Sequence, residues 1–403
     1  MSIVPPSPAQ NPHKKVLSFD NTEISFRGKS NADINRAYWL FKTISNNFLT
    51  KIGPPITEFA LKVGLPIEGI IKATIFKHFC GGENIQECEQ TVAALHRGRV
   101  GAILDYSLEG AEEDHVFDDT CQEIIRTVKR ADGDRRIPLT VFKVTGIGRF
   151  ALLEKASSGS QLSEREVGEF AKFKGRFEII CQAAFDADIP VMVDAEETWI
   201  QKVVDELALE MMRKFNRQKT IVYNTYQLYR NDKLASLKAD TELAKAEGFF
   251  MGAKLVRGAY MEKERERALQ LGYPSPINNT KKDTDRDYNA AVAYCSENVD
   301  HLGFVAGTHN EESCRLLVDL IDEKGIEQSN PKVYFSQLLG MSDNLSFNLA
   351  DAGYNVAKYV PYGPVKAVLP YLFRRAEENT SIAGMMSREL NLILAERKRR
   401  KIH

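Results

Sequence analysis

The residues best suited to chemistry in this chain lie in the stretch YVPYGPVKAVLPYLFRRAEE, close to the C-terminus. Their spacing of i, i+3, i+4 and i+7 places one phenol, two guanidiniums and one carboxylate on a single helical face: Tyr371, Arg374, Arg375 and Glu378. Two adjacent guanidiniums bind a small carboxylate strongly, because each can donate two parallel hydrogen bonds. A solvated helix face with a salt bridge is the alternative. The β-like run and Pro/Gly turn before the helix favour a ligand site, because strand, short loop and helix carry the sites of α/β proteins.

Eight short apolar runs follow one another after residue 98, and amphipathic segments separate them. The runs are VGAILDY (100–106), PLTVFKV (138–144), IPVMVD (189–194), TIVYNTY (220–226), FMGAKLV (250–256), LGFVAGT (302–308), KVYFSQL (332–338) and YNVAKYV (354–360). Strand-like runs that alternate with helical segments indicate a parallel sheet. Eight repeats predict an α/β fold of the (β/α)8 TIM-type barrel class, and a doubly wound sheet is the alternative.

The chain divides into three predicted parts. Residues 1–97 form an N-terminal extended segment and helical arm, in which glycines mark the helix ends. Residues 98–385 form the catalytic barrel, and residues 386–403 form a basic C-terminal tail. The run RKRRK in this tail is interpreted as a solvated helix end, with contact to an anionic membrane surface as the alternative.

The bulk composition excludes several classes of protein. Lys and Arg number 54 against 55 Asp and Glu, so the net charge of -1 does not favour a nucleic-acid partner. The six cysteines are scattered without a CxxC pair and the histidines without HExxH, which predicts reduced thiols, a cytoplasmic location and no metal. Neither a secretory signal nor an apolar run of transmembrane length is visible.

Polar residues end most of the predicted strands, where a barrel of this class places its chemistry. They include Asp105, Lys143, Asp194, Asn224, Gln227, Arg257, Thr308, His309, Ser336, Gln337 and Tyr359. Lys143 is a lone lysine inside the apolar run LTVFKVTG. Such a lysine often reaches out to solvent, but a buried one needs an anion nearby. We therefore expect Asp194 on the next strand, or a ligand anion, beside Lys143.

The segment GIGRFA (146–151) matches the G-x-G-x-x-A pattern of dinucleotide-binding loops. The match is weak, because the remaining strands supply no second half of that pattern and paired loop glycines are common. A nicotinamide dehydrogenase that uses this loop is kept as a minor alternative.

Five ordered motifs together resemble the proline dehydrogenase family. They are DAEE (194–197), KLVRGAY (254–260), GTHN (307–310), YFSQLLGM (Tyr334–Met341) and KYVPYGPVKAVLPYLFRRAEEN (358–379). The resemblance extends from about Asp105 to Ser381, which is most of the chain. It implies a distorted (β/α)8 barrel that holds FAD at the carboxyl ends of the strands.

The resemblance also implies an activity. Members of this family oxidise L-proline to Δ1-pyrroline-5-carboxylate by hydride transfer to FAD, and a quinone reoxidises the reduced flavin. Some members carry an additional aldehyde dehydrogenase domain, and the length of this chain predicts the monofunctional type. Electron transfer to a quinone would bring peripheral association with the inner face of a membrane.

The resemblance further implies the residues that bind proline. Arg374, Arg375 and Lys143 would hold the carboxylate, and Asp194 would hold Lys143 in place. Glu378 would pair with the arginines, and Glu109 would gate them through a second ion pair. The pyrrolidine ring would be walled by four side chains: Tyr260, Leu338, Tyr359 and Tyr371. The acceptor of the amine proton stays unassigned.

The implied FAD-binding residues follow strands four, five and six. They are Asn224, Gln227, Lys254, Arg257, Gly258, Ala259, Thr280, Thr308 and His309. A cation beside the flavin would stabilise its anionic reduced form, which suits Lys254 or Arg257. Some family members have arginine at the position of Lys254, so the flavin atom that Lys254 reaches is left open.

The sequence leaves two further alternatives. One is a hydroxyproline dehydrogenase, which would have the same class of reaction and a different substrate. The hydroxyl of Tyr359 would crowd the hydroxylated ring of that substrate. A non-enzymatic barrel with a vestigial site would change the class of protein, but the retained charged residues argue against it.

Overall fold

Eight parallel strands form the centre of the molecule. The computed structural model describes residues 17–44, 67–107, 112–381 and 385–402. The strands are β1 (Gly101–Tyr106), β2 (Thr140–Lys143), β3 (Val191–Asp194), β4 (Val222–Gln227), β5 (Met251–Val256), β6 (Leu302–Gly307), β7 (Val333–Leu338) and β8 (Val356–Tyr362). Their hydrogen-bonded order is β1-β8-β7-β6-β5-β4-β3-β2, so the nearly closed barrel completes its ring between β1 and β2. The predicted (β/α)8 barrel and all eight predicted strands are confirmed.

Helices surround the strands. The arm before the barrel contains α1 (Thr22–Phe26), α2 (Asn31–Ile44), α3 (Glu68–Ile71), a π-helical turn (Lys72–Phe76), α4 (Lys77–Phe79) and α5 (Ile85–Arg97). The barrel contributes α6 (Asp114–Ala131), a 3-10 turn (Val144–Gly146), α7 (Phe150–Ser157), α8 (Glu164–Asp186), α9 (Thr198–Phe215), α10 (Lys233–Glu247), α11 (Met261–Leu271), α12 (Lys281–Glu297), α13 (Glu311–Glu323), α14 (Asp343–Asp351) and α15 (Val365–Ser381). A final helix, α16, spans Met385–Arg399. Among the residues described, no helix has the length and apolarity to cross a membrane.

The strands alternate between two faces, and this alternation decides which side chains reach the barrel interior. One apolar cluster fills the interior with Ile103, Leu139, Val141, Met192, Tyr223, Val305, Ala357 and Tyr359. The next inward positions toward the carboxyl ends are polar, including Asp105, Lys143 and Asp194. The sequence therefore builds an apolar floor below a polar mouth.

Local capping fixes where the helices around this mouth begin. Ser163 and Glu166 form a reciprocal capping box at the start of α8. Asn310 accepts a hydrogen bond of 2.9 Å from the backbone N–H of Ser313, which starts α13 directly after β6. The loop after β6 is therefore held at a defined entry to its helix.

The first and last helices pack together beside β7 and β8. Buried apolar residues of α1, α2, α15 and α16 form a second cluster that includes Phe26, Phe41, Val368, Leu392 and Ile393. The segment expected as a separate basic tail is therefore a packed helix. Two of its cations bind within the protein: the Arg397 guanidinium lies 4.2 Å from the ring centre of Tyr38, and Arg400 is bonded to the backbone oxygen of Phe26.

The GIGRFA loop performs a packing role. A Cβ added to Gly148 would lie 2.4 Å from Cδ2 of Phe173, so only glycine lets α8 approach this loop. Arg149 in the same loop pairs with Glu169 at 2.7 Å. The loop leads from a 3-10 turn to α7 in a barrel, and this is not the setting of a dinucleotide-binding site.

Gly148→Ala is expected to lower the free energy of unfolding by about 1–3 kcal/mol, because the added methyl overpacks the contact with Phe173. Denaturant unfolding would measure the change. Gly175→Ala is the matched control: its Cβ meets nothing within 4 Å in the interior of α8, so a gain of about 0.5–1 kcal/mol is expected. Equal effects at the two positions would contradict the packing role of Gly148.

Candidate active site

Four charged side chains form a row across the barrel mouth. Lys143 Nζ lies 2.9 Å from both carboxylate oxygens of Asp105 and 3.4 Å from Oδ2 of Asp194. Lys254 Nζ hydrogen-bonds the other oxygen, Oδ1, of Asp194. The order Asp105, Lys143, Asp194, Lys254 alternates in sign, so the row is electrically balanced inside a poorly hydrated site. We call it the charged row.

Strand register explains why the charged row forms. Lys143 and Asp194 occupy paired positions on β2 and β3, and Asp105 faces Lys143 across the junction of β1 and β2. Asp194 was expected beside Lys143, and the structure brings the two together. The closer partner, Asp105, was noted only as a strand-end residue. Because Lys143 is already paired with two carboxylates, its charge is largely compensated before any ligand binds.

Asp194 stays ionised despite its position. Burial would raise the pKa of its carboxyl, but the neighbouring Lys254 and Lys143 hold that pKa below its usual value. Tyr359 donates a hydrogen bond of 3.4 Å to Oδ1 of Asp194, and its ring lies under Lys254 with the ammonium 4.5 Å from the ring centre. Burial raises the pKa of Tyr359 well above normal. Its phenol therefore remains a neutral donor that braces the row.

A second cluster lies where β5 and β6 end. The Arg257 guanidinium pairs with Asp285 at 2.6 Å, donates to Thr308 Oγ1, and stacks 3.9 Å from the ring centre of Tyr288. A further bond of 3.1 Å reaches Ser313 Oγ at the start of α13. Arg257 is therefore held in one orientation by contacts from three elements.

His309 follows Thr308 and is half-buried among positive charges. Burial, followed by the charges of Lys358, Arg375 and Arg257, lowers the pKa of its imidazole to about 3. The ring is therefore neutral at physiological pH. Its Nδ1 lies 2.8 Å from Ser342 Oγ. The electrostatic effect of Arg375 also shows that α15 brings this guanidinium into the neighbourhood of His309.

The remaining predicted substrate residues lie on α15, on β7 and before α11, or outside the described residues. Tyr371 and Arg375 are buried on α15, Arg374 is half-buried, and the Arg375 guanidinium lies 5.1 Å from the ring centre of Tyr371. Leu338 is paired in register with Tyr359, and Tyr260 is half-buried at the start of α11. Glu109 and the side chain of Glu378 lie outside the described residues.

The predicted cofactor residues divide between the mouth and its surroundings. Gln227 points into the mouth, and its Nε2 donates to the Glu196 backbone oxygen at 2.7 Å and to Tyr229 Oη at 2.9 Å. Gly258 and Ala259 are exposed beyond β5, and Gly258 has a φ of 82° that favours glycine. Thr280 is also exposed, where it caps α12 by accepting from the Asp283 N–H.

Asn224 is the predicted residue that the structure separates from the others. Its Nδ2 donates to Asp205 on α9 at 2.9 Å, and the same carboxylate binds the buried Lys233. Asn224 therefore belongs to the outward face of β4, between the strand and its helices, whereas Gln227 belongs to the inward face. The reason is the alternation of strand side chains, which separates positions 224 and 227.

Several supporting residues were missed from the sequence. Glu196 accepts from the N–H and the hydroxyl of Thr145 at 3.0 and 2.7 Å, and buried Glu264 accepts both donors of Thr198 at 2.7 Å. These bonds link the loop after β3 to the loop after β2 and to α11. The repeated acids of DAEE were a visible signal, but nothing in their spacing identified the partners.

A parallel (β/α)8 barrel with paired charges gathered at the carboxyl ends of its strands has the arrangement in which barrels of this class carry their active sites. The family model described as "Proline dehydrogenase" matches residues 88–388, so the chain belongs to the proline dehydrogenase family. The family membership predicted from five motifs is thereby confirmed.

Individual relatives agree with this assignment. The chain is 32% identical over 439 residues to "Proline dehydrogenase 1, mitochondrial" of Dictyostelium discoideum, covering 98% of this chain and 77% of that protein. It is 40% identical over 373 residues to the protein of the same name from Caenorhabditis elegans, covering 87% and 57%. Among solved structures, proline utilization A (PutA) from Bdellovibrio bacteriovorus, inactivated by N-propargylglycine, superimposes with a TM-score of 0.70 at 20% identity. That match covers 90% of this chain and 38% of the PutA chain, and it supports the fold.

Proposed function

We propose that this protein is an oxidoreductase that converts L-proline to Δ1-pyrroline-5-carboxylate, the first step of proline catabolism. The observation that carries the proposal is membership of the proline dehydrogenase family over residues 88–388. The charged row and the arginines of α15 support it, because a small zwitterion needs separate partners for its two charges. The activity and substrate named for the relatives are carried over to this chain as part of the proposal.

FAD is the proposed cofactor, and two orphaned atoms support its fit. Gln227 Oε1 and Ser336 Oγ are buried and have no hydrogen-bond partner among the described residues. Buried polar atoms without partners are rare, so a polar ligand that supplies donors and acceptors would satisfy them. FAD would supply the two-electron chemistry of the reaction.

The residues proposed to hold FAD lie on three neighbouring strand ends. Gln227 would contact the flavin ring and Lys254 its polar edge, while Arg257 would present its fixed guanidinium to the phosphates. Gly258 lets the backbone approach the cofactor closely, with Ala259 beside it. Thr308, His309 and Thr280 complete the proposed set. Asn224 would act indirectly, by supporting β4 from its outward face.

Proline is proposed to bind against α15 and the charged row. Arg374 and Arg375 would hold the carboxylate, and Lys143 would add its electrostatic field while remaining paired with Asp105 and Asp194. Tyr260, Leu338, Tyr359 and Tyr371 would enclose the ring and exclude water. Glu378 and Glu109 keep their proposed roles as partners of the arginines.

The proposed electron acceptor is a quinone. A quinone is a lipid-soluble molecule, so transfer to it would take place at a membrane surface to which the protein attaches peripherally. Three basic residues at the end of the chain, Arg397, Arg399 and Arg400, are engaged within the protein. They therefore make a weaker candidate for membrane attachment than their sequence suggested.

The test is a spectrum and an assay on the purified chain. The protein is expected to carry oxidised-flavin absorbance bands that bleach when L-proline is added without an acceptor, and to reduce a dye when proline and dye are both present. trans-4-Hydroxy-L-proline is the comparator, because Tyr359 would crowd its hydroxyl. Flavin without bleaching by proline would reject the substrate, and failure of the chain to bind FAD would reject the proposed function.

A further inference from the structure

The final helix, α16, contacts two segments of the barrel mouth. Arg388 Nε donates to Glu311 Oε1 at 2.9 Å, at the start of α13 just after His309. The next residue, Glu389, accepts a hydrogen bond from the backbone N–H of Ser342 in the loop after β7. Two adjacent side chains of one helix thus hold the loops that follow β6 and β7. None of these residues belongs to the predicted substrate or cofactor set.

Ser342 connects Glu389 to that set. Its backbone has a φ of 50°, a left-handed conformation that costs energy for a residue other than glycine. The surrounding structure must hold this conformation, and the bond from its N–H to Glu389 does so directly. The Ser342 hydroxyl lies 2.8 Å from His309 Nδ1. A chain of contacts therefore runs from the buried Glu389 through the buried Ser342 to the half-buried imidazole.

The charges around Glu389 come from four elements. Asp343 follows Ser342, and its carboxylate pairs with Lys358 of β8 at 2.8 Å and with Lys29 before α2 at 3.3 Å. His78 of α4 also faces Asp343 and binds the Gly340 backbone oxygen at 2.9 Å. Burial, followed by the charge of Asp343, raises the pKa of Glu389 to about 7. The side chain is therefore partly protonated at neutral pH, and an amide imitates its protonated form.

We propose that Glu389 is a positioning residue for the cofactor site, which holds Ser342 in its left-handed conformation and so fixes the His309 imidazole toward the bound cofactor. The inference rests on the proposed function, because it takes His309 as a cofactor residue. Glu389 acts through Ser342 and touches neither substrate nor cofactor. The Ser342 hydroxyl, which can donate or accept, occupies Nδ1 and so leaves Nε2 as the ring nitrogen available to the ligand.

The experiment compares four full-length variants with the wild type: Glu389→Ala, Glu389→Gln, Ser342→Ala and Glu396→Ala. For each protein, flavin is removed and the dissociation constant for FAD is measured by fluorescence titration, alongside the unfolding temperature. Glu396 is the matched control, because it is a fully buried carboxylate on the same helix. It binds Arg399 and Arg400 and contacts neither mouth loop.

Glu389→Ala and Ser342→Ala are each expected to weaken FAD binding by about tenfold or more, the usual effect of losing a buried hydrogen bond that orients a ligand group. Glu389→Gln keeps an acceptor for the Ser342 N–H and is expected to stay within about threefold of the wild type. Glu396→Ala is expected to lower the unfolding temperature while leaving FAD affinity within about twofold, because it affects only the docking of the helix.

Two results would overturn the inference. One is an FAD affinity that falls in Glu396→Ala as far as in Glu389→Ala, which would make Glu389 a general support for the helix. The other is unchanged affinity in both Glu389→Ala and Ser342→Ala. A wild-type chain that binds no FAD rejects the proposed function itself, so the two failures are distinguishable.

Discussion

Asp194→Asn is expected to be the most damaging single substitution in the barrel mouth. The change removes the negative charge between Lys143 and Lys254, and it leaves both ammoniums in a poorly hydrated interior with Asp105 as their only acid in the charged row. Loss of one partner from a buried ion pair costs about 3–5 kcal/mol. We expect a fall in kcat/KM for proline of at least about 100-fold, equivalent to about 3 kcal/mol. Dye-linked kinetics and denaturant unfolding would measure the two effects.

Asp205→Asn is the matched control for this prediction. Asp205 also binds a buried lysine, Lys233, but on the outward face of β4. The Asp205→Asn substitution should lower the free energy of unfolding while largely preserving kcat/KM for proline. An equal kinetic loss in the two variants would show that Asp194 contributes only to folding.

The effect of Asp194→Asn on stability should depend on pH. Lys254 and Lys143 hold the pKa of Asp194 below its usual value of 3.8, so its ionised form stabilises the fold above that pH. This stabilisation is lost as the pH falls through the lower pKa of the folded protein. The difference between wild type and variant should therefore shrink as the pH drops below 3.8, and a difference independent of pH would contradict the assignment.

Arg375→Met is expected to raise the KM for proline by about 100-fold, because a charge-assisted, bidentate contact to the substrate carboxylate is worth roughly 2–5 kcal/mol when buried. Methionine retains most of the apolar contact of the side chain, so FAD content should stay near the wild-type value. Kinetics at saturating dye and the flavin-to-protein absorbance ratio would measure the two quantities.

Lys366→Met is the matched control on the same helix. Lys366 is exposed on α15, so its substitution should leave the KM for proline unchanged. This result would show that loss of a cation from the helix is not sufficient to raise KM. If Arg375→Met instead releases flavin and leaves KM for proline unaltered, Arg375 is a cofactor residue and the proposed carboxylate site is wrong.

The strands could be predicted from the sequence because each is a short apolar run bounded by amphipathic segments. The sequence did not predict on which side of its strand a residue lies. Strands covered by helices outside and filled by side chains inside are apolar on both faces, so the pattern does not reveal which positions point inward. Asn224 was therefore grouped with Gln227, although the two lie on opposite faces of β4.

The sequence also did not predict which side chains contact each other across the barrel. Lys143 and Asp194 could be matched because they end consecutive strands, whereas Asp105 became a neighbour only through closure of the sheet between β1 and β2. Glu389 carried no local signal at all. Its partner Ser342 is 47 residues away in the sequence. The residues next to Glu389 in α16 are those expected around a solvent-exposed acid.

The contact between α16 and the first helices has a consequence for biosynthesis. Arg388 binds Asp20 and Arg400 binds the backbone of Phe26, across sequence separations of 368 and 374 residues. Helices α1 and α2 leave the ribosome long before the segment that covers their apolar faces has been translated. The part of those faces that α16 covers stays exposed until that helix has been synthesised, so this side of the molecule is prone to aggregation in a nascent chain and a place where chaperones would act.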